Sequence, residues 1–581
     1  LQAADQARLL YANDEAEMLY QKVLRLLDEQ EAASGQANPE RRAKTYLKIA
    51  QVRANFLDFE RAQEYYNQAF DLLEQLLPSE VDSSNGEHIF RLNVFEPETF
   101  DPGLCETIGS AEIINNLFEG LVELDTELNV IPALARRWRV DSEGKLFRFE
   151  LRPNLKWSDG SPLTAYDFVF AWRRNLVPET GAGVAHQLYV VEGAEDFHQG
   201  RNPDPNSIAI SALDDLNLEV ILKTPTPYFP YLLTSSISFP QPAHLIETKG
   251  DDWNKPPNLV CNGPFRIMNW QPNQEMRLEK NSFYRGFAPG NLGEVLLYFA
   301  EPSLEQYIRQ EIDWCPVWDQ ADLAIRYPTE TFLVQYLTTY FLAFSCRFPP
   351  FNQKLVRQAF AMSINQQEVV KTVWSNVQKP ALGGVVPPGM PGHSPEIGLY
   401  FDPRAARQLL KQAGFDSGAS LPSLTLAALS GFRTTPDYLQ ASWREHLGVE
   451  VQIMRNMSLE DIAAKMKQGS AQLSLSGWGV DYPDPDDMLR VLFHGASPTN
   501  YLGWHNQQFD QLVERAASLT DQQVRLTLYH QADRLLVAEE TAIVPLYYQQ
   551  AHGLLRPGFR LEGAGKIIRG GTLKFKNIRA A

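Results

Sequence analysis

Cysteine is scarce in this chain of 581 residues: Cys105, Cys261, Cys315 and Cys346 are all there is, and no pair has CxxC or zinc-ligand spacing. Four cysteines in a chain this long exclude a disulfide scaffold. One bridge in an oxidising compartment, or simply buried thiols, remains. Long apolar runs are missing too. None approaches the roughly 20 residues that span a bilayer, and no signal-peptide pattern is present. The chain starts at Leu1, so the expectation is a precursor whose signal or anchor lay upstream. Positive charge is in deficit, with 53 Lys and Arg against 71 Asp and Glu and a formal net charge of -18. That excludes a nucleic-acid binder working by phosphate neutralisation and is compatible with a neutral or cationic ligand. Catalytic patterns are absent as well. There is no HExxH and no Walker or dinucleotide glycine motif; GAG at 181–183 stands alone. The GHSPE stretch at 392–396 lacks the second glycine of a nucleophile elbow, so no nucleophile–base or metal constellation marks an enzyme. No cofactor is expected.

The length exceeds what one core supports, about 250–300 residues, so several lobes are expected. Residues 1–80 are rich in Ala, Gln, Glu and Leu. Helical spacing of apolar residues predicts helices at 15–27, 44–56 and 59–77. Tyr46, Ala50, Ala62, Tyr66 and Ala69 stand at spacings that resemble a tetratricopeptide repeat, where small residues let two helices approach. Such units bury their faces by stacking, so this segment is expected to pack on the main body, on a partner, or on upstream sequence. A plain helical hairpin is the alternative. A polar linker follows at 81–87. Beyond it short strands alternate with helices. Strands are predicted at 145–152 and 216–223, and a helix at 164–176 with Thr164 and Asp167 in a capping box. A helix at 403–414 runs from Pro403 to Gly414. The class is α/β.

One stretch concentrates chemistry. In SGWGVDYPDPDDML (476–489), Asp481, Asp484, Asp486 and Asp487 arrive where a strand gives way to a turn stiffened by Pro483 and Pro485, beside Trp478 and Tyr482. Calcium would need six or more oxygens at fixed loop positions, and an EF-hand loop needs a glycine that is missing here.

The order of segments from about 88 to 581 resembles the extracellular solute-binding proteins of peptide-type ABC transporters (family 5). FDPGLCET (100–107), INNLFEGLVELD (114–125), IPALARRWRV (131–140) with FRFELRPNLKWSDGSPLTAYDFVFAWRR (147–174), NGPFRIMNW (262–270), FNQKLVRQAFAMSIN (351–365), YFDPRAARQLLKQAGF (400–415), GWGVDYPDP (477–485) and IVPLYY (543–548) occur in family order. The resemblance implies a periplasmic-binding-protein-like type II fold, three-lobed, closing about a hinge, behind the all-α segment at 1–80. Lobe I would comprise 87–125, 223–300 and 546–581; lobe II, 126–222; lobe III, 301–545. Two mixed sheets would be joined by hinge strands. It also implies an extracytoplasmic protein, anchored through upstream sequence, that takes a peptide or other small solute to a permease. A sensor or scaffold signalling to a protein partner through the helical repeats is the alternative.

In peptide-binding relatives the Asp of this strand–turn motif pairs with the ligand's α-amino group, which makes Asp481 the expected anchor. Trp478 would wall it, Tyr482 would stand beside it, and Glu106 would line the cleft. The other acids are expected on the turn's solvated face or capping the helix near 486. The family's carboxylate-gripping arginines fall at Leu475 and at Met466, which Lys465 and Lys467 flank, so the resemblance leaves the carboxylate clamp open. The resemblance leaves the solute open, since the class also holds nickel-complex, oligosaccharide and opine binders.

Overall fold

The computed structural model describes residues 1–9, 13–55, 58–75, 88–125, 128–226, 228–286, 290–519, 521–562, 567–568 and 573–580. The linker expected at 81–87 lies outside them.

Four helices open the chain: α1 (Gln2–Leu9), α2 (Asn13–Ser34), α3 (Pro39–Asn55) and α4 (Phe59–Gln75). The helix predicted at 15–27 runs on to Ser34, and α1 precedes it. Ala50, Ala62 and Ala69 are completely buried, which lets α3 and α4 pack closely. Lys48 is buried on α3 and reaches Asp5 of α1 at 2.7 Å. Tyr20 of α2 donates to the same carboxylate at 2.6 Å.

The helices pack on the main body. The rings of Tyr66 and Phe70 on α4 lie 5.1 and 4.6 Å from Trp138, in the strand Ala135–Val140. That strand is the edge of an antiparallel four-stranded sheet running on through Leu146–Leu151, Asn217–Ile221 and Ile210–Ala212. An edge strand exposes unpaired backbone groups. Here Gln63 covers two of them: its Nε2 donates to the Trp138 carbonyl and its Oε1 accepts from Val140 N–H, both at 3.1 Å. Gln63→Ala should therefore lower stability by roughly 1–3 kcal/mol, two bonds at ordinary net strength, read as a shift in denaturation midpoint. An unchanged midpoint would mean the edge does not depend on α4.

The strands expected at 145–152 and 216–223 are Leu146–Leu151 and Asn217–Ile221. The helix Ala165–Asn175 starts with the expected reciprocal box, Thr164 N–H donating to Asp167 at 2.7 Å.

Two short antiparallel pairs stand apart, Val122–Leu124 with Val130–Pro132 and Phe559–Leu561 with Ile578–Ala580, and the other strands form one continuous sheet of twelve. Its order is Val451–Met457, Leu424–Leu429, Leu473–Gly479, Thr331–Phe344, Ile543–Leu555, Trp314–Val317, Ile89–Val94, Glu294–Phe299, Glu275–Lys280 and Phe265–Gln271, with the short strands Lys379–Pro380 and Ile567–Ile568 beside the long ones. Thr331–Phe344 and Ile543–Leu555 carry the sheet from one end to the other. They pair antiparallel, with register shifts between Gln335 and Thr339 and between Tyr340 and Phe341. Bulges of this kind bend a ribbon and increase its twist. Period-two alternation splits the core: Phe341 and Ala343 face one buried cluster, Leu342 and Phe344 another.

The carboxyl-terminal segment is tied in by charge. Lys576 donates to Glu119 at 2.9 Å, Glu123 at 2.8 Å and the Tyr284 hydroxyl at 3.1 Å, while Lys574 reaches Glu123 at 2.7 Å. Burial alone would raise the Glu123 carboxyl; the two ammonium groups more than reverse this and hold it at about 2. A folded value below the ordinary 4.5 stabilises above that pH, and the stabilisation is lost as pH falls from 4.5 toward about 2. Glu123→Gln should be less stable than the natural protein at neutral pH, and the gap should close over that interval in thermal melts. A gap independent of pH would overturn this role for Glu123. The four cysteines are free thiols.

Candidate ligand cleft

The strand Leu473–Gly479 lies between Leu424–Leu429 and Thr331–Phe344. Leu473 and Leu475 point into one core, so Ser476 and Trp478 face the other side. Gly477 is opposite Tyr340; a Cβ there would sit 2.4 Å from the Tyr340 ring. Ser476 and Trp478 face a cavity of about 330 Å³ whose walls include Phe341, Glu460, Tyr501 and Glu106. This is within the size range of small-molecule pockets. Tyr501 donates to Ser476 Oγ at 2.8 Å.

Glu106 belongs to a different part of the chain and is exposed. Gly183 N–H donates to its Oε1 at 3.0 Å, and a Cβ on Gly183 would come within 2.2 Å of that oxygen. The isolated GAG of the sequence thus permits a close backbone approach to a cavity carboxylate.

After Gly479 the chain reaches Asp481, half-buried. Gln187 Nε2, from the 3-10 turn Ala185–Val190, donates to its Oδ2 at 3.0 Å across the crevice. Asp487 supports both this residue and Trp478: its Oδ2 accepts from Trp478 Nε1 at 3.0 Å and from Asp481 N–H at 3.2 Å. Asp487 is completely buried, and its Oδ1 has no hydrogen-bond partner among the described residues. Burial and the neighbouring Asp481 push its carboxyl well above the usual range. Burial, with Asp481, Glu106 and Asp101 adding to it, pushes the Cys105 thiol up to about 12. The same electrostatic neighbourhood therefore contains Asp481 and Glu106.

The other acids of the turn are not on a solvated face; they point inward, and Asp484 caps the helix that starts near 486 as expected, its Oδ1 accepting from Asp486 N–H at 2.9 Å. Asp484 takes Arg525 at 2.7 and 2.5 Å. Asp486 accepts from Arg490 at 2.7 and 2.6 Å and from the hydroxyls of Tyr482 and Tyr529 at 2.8 Å each. Burial opposes ionisation of Asp486, but Arg490 and Arg525 hold its carboxyl at about 2. The Arg525 guanidinium lies 5.1 Å from the Tyr228 ring and 4.9 Å from Tyr529. Two guanidinium groups provide enough charge to draw these carboxylates out of water, which is why the turn folds inward.

Tyr482 is accordingly corrected. It is buried, its ring stacks on Tyr228 with 5.9 Å between centroids and 4° between planes, and its hydroxyl is bound to Asp486. It supports the turn and does not wall the cavity. Trp478 and Glu106 line the cavity; Asp481 is not itself on its wall but is joined to Trp478 through Asp487. Sequence reasoning named Asp487 but not its support of Trp478 and Asp481, and missed Gln187, Glu460 and the two arginines. Arg490 carried a signal, lying one helical turn after Asp486; Arg525, Gln187 and Glu460 carried none. Leu475 and Met466 are buried, and among the described residues no basic side chain lines the cavity.

The model of the bacterial extracellular solute-binding proteins, family 5 (Middle), matches residues 129–500. The chain belongs to that family. This solute-binding protein is 33% identical over 509 residues to the probable deoxycholate-binding periplasmic protein YgiS of Escherichia coli, covering 84% of this chain and 94% of that one. It is 30% identical to the dipeptide-binding protein DppE of Bacillus subtilis, covering 81% and 88%. Among solved structures, the E. coli murein tripeptide binding protein MppA superposes with a TM-score of 0.75 at 25% identity, over 85% of this chain and 98% of that one. The solute-binding protein has the α/β architecture of these periplasmic binders, preceded by its own helices. Among its described residues no helix is long and apolar enough to cross a membrane.

Proposed function

We propose that this solute-binding protein captures a peptide or peptide-like solute beside Trp478 and Asp481, outside the cytoplasmic membrane, and delivers it to the permease of an ABC transporter. It acts by binding and carries out no catalysis. The observation that carries the reading is the anchor itself. A carboxylate stands at the end of a rigid strand, its backbone N–H and the neighbouring indole held by one buried acid. Such a carboxylate gives a charge-assisted hydrogen bond to an ammonium, and Trp478 offers it an aromatic face. The proline-stiffened turn loses little entropy on binding. The names of DppE and MppA, a dipeptide binder and a murein tripeptide binder, support a peptide; the name of YgiS is the competing indication.

The three lobes set out from the sequence supply the motion. The contacts Gln187–Asp481 and Tyr228–Tyr482 join the third lobe to the second and first, and the paired strands Thr331–Phe344 and Ile543–Leu555 form the hinge. Native mass spectrometry of the purified protein, followed by denaturation and identification of the released molecule, tests the reading. A ladder of co-purified short peptides is the expected result. A single non-peptide mass would overturn the peptide assignment.

A further inference from the structure

We infer that the cavity beside Trp478 is a specificity pocket for one bulky apolar group of the ligand, an aromatic side chain of the peptide, and that Leu459 and Ala463 set its depth. This rests on the reading that a peptide binds beside Trp478 and Asp481, and it names the class of peptide accepted there.

The wall is built from apolar side chains that separate segments contribute. Phe341 comes from the strand Thr331–Phe344, Trp478 from Leu473–Gly479, and Phe493 from the stretch that follows the turn. The Phe341 and Phe493 rings meet edge to face, 5.9 Å between centroids. The helix Leu459–Gln468 adds Leu459 and Ala463, one turn apart and so on one face. Leu459 is left 40% exposed, and Ala463 is half-buried. Apolar surface turned to a cavity in this way gains from an occupant that takes it out of water.

The polar groups of the wall are engaged by the protein itself. Tyr501 gives its hydroxyl to Ser476 Oγ at 2.8 Å, Thr499 gives its own to the Val491 carbonyl at 2.5 Å, and Trp478 Nε1 donates to Asp487 at 3.0 Å. Glu106 and Glu460 are exposed and keep their water. A polar ligand group pushed into the cavity would give up its own water and find few partners, a cost that an apolar ring does not carry. Water held against such a wall is poorly bonded, and expelling it favours binding. A dry cavity of about 150 Å³ already takes a benzene ring. The cavity here is about 330 Å³, which admits a phenyl or an indole ring. Such a side chain brings about 150–250 Å² of surface, so burying it in place of an alanine methyl should tighten binding by about tenfold or more.

The test is calorimetric titration with Ala-Ala-Ala and with the three peptides that replace one of its residues by Phe. At least one Phe peptide should bind about tenfold or more tighter than Ala-Ala-Ala. Ala463→Phe fills the cavity from the helix side and should bring that ratio down toward one. Leu459→Asn, at an exposed position, makes the same wall polar and should narrow the ratio too; it answers the question should Ala463→Phe fail to fold. Equal affinities for the Phe and Ala peptides would overturn the inference and leave the peptide reading standing, as would a preference for Phe that both variants preserve. If no peptide binds, the peptide reading fails, and deoxycholate is the second probe. Deoxycholate binding that Ala463→Phe weakens would overturn the peptide reading and keep the pocket's selection for apolar groups. Deoxycholate binding that the variant leaves unchanged, or no binding at all, would end both.

Discussion

Arg525→Met should cost about 3–5 kcal/mol of folding stability, the penalty for removing one partner of a buried ion pair. The guanidinium is completely buried and sits bidentate on Asp484. Methionine fills the space but leaves the Asp484 carboxylate without its counter-charge. The effect should not be confined to stability. Arg525 also packs on Tyr228, the residue that stacks on Tyr482 from another part of the chain. Losing it loosens the turn that begins at Asp481 and should speed ligand release. The double variant Asp484→Leu/Arg525→Met separates charge from packing. Replacing both partners by apolar groups removes the orphan charge, so it should recover most of the lost stability in chemical denaturation. A double variant as unstable as the single one would show that packing around Arg525, rather than its pairing, holds the turn.

Asp481→Asn should weaken binding of free-amine peptides by about 1.5–3 kcal/mol, the range for a hydrogen bond to a charged group. N-acetylated peptides, which have no ammonium to place there, should bind the two proteins alike. Equal loss for both ligand types would sink the amine-anchor role. Asp487 provides the control. Its Oδ2 accepts from Trp478 and from Asp481 N–H, a task an amide carbonyl performs equally well. Asp487→Asn should therefore leave affinity near the natural value, while Asp487→Ala frees both donors and should weaken binding. A strong loss in the asparagine variant would mean that the acidic proton matters.

Much of the fold was legible because local rules and tertiary packing agree. The alternation in residues 145–152 and 216–223 became strands because one face of each is buried. Thr164 and Asp167 form their box because both partners lie within one helical turn. The alanines of α3 and α4 are small because two helices meet there. The motif around Asp481 was equally plain, since a tryptophan, a carboxylate and two prolines in a few residues need no long-range information to stand out.

Tertiary structure decided what those residues face. Four acids in seven positions suggest a solvated turn on local grounds. The turn folds inward because Arg525, far along the chain, and Arg490 bring the positive charge that makes burial affordable. Tyr482 left the cavity for the same reason: Asp486 and the Tyr228 ring offer its two ends better partners than solvent does. Glu106, Glu460 and Trp478 meet around one cavity although they stand far apart in the chain, so only tertiary packing brings them together. Sequence by itself determined the element types, the family and the strand–turn motif around Asp481, all set by neighbours in the chain. The meeting of Glu106 and Glu460 at one cavity and the inward fold of the turn on Arg525 belong to contacts between residues that the chain keeps far apart.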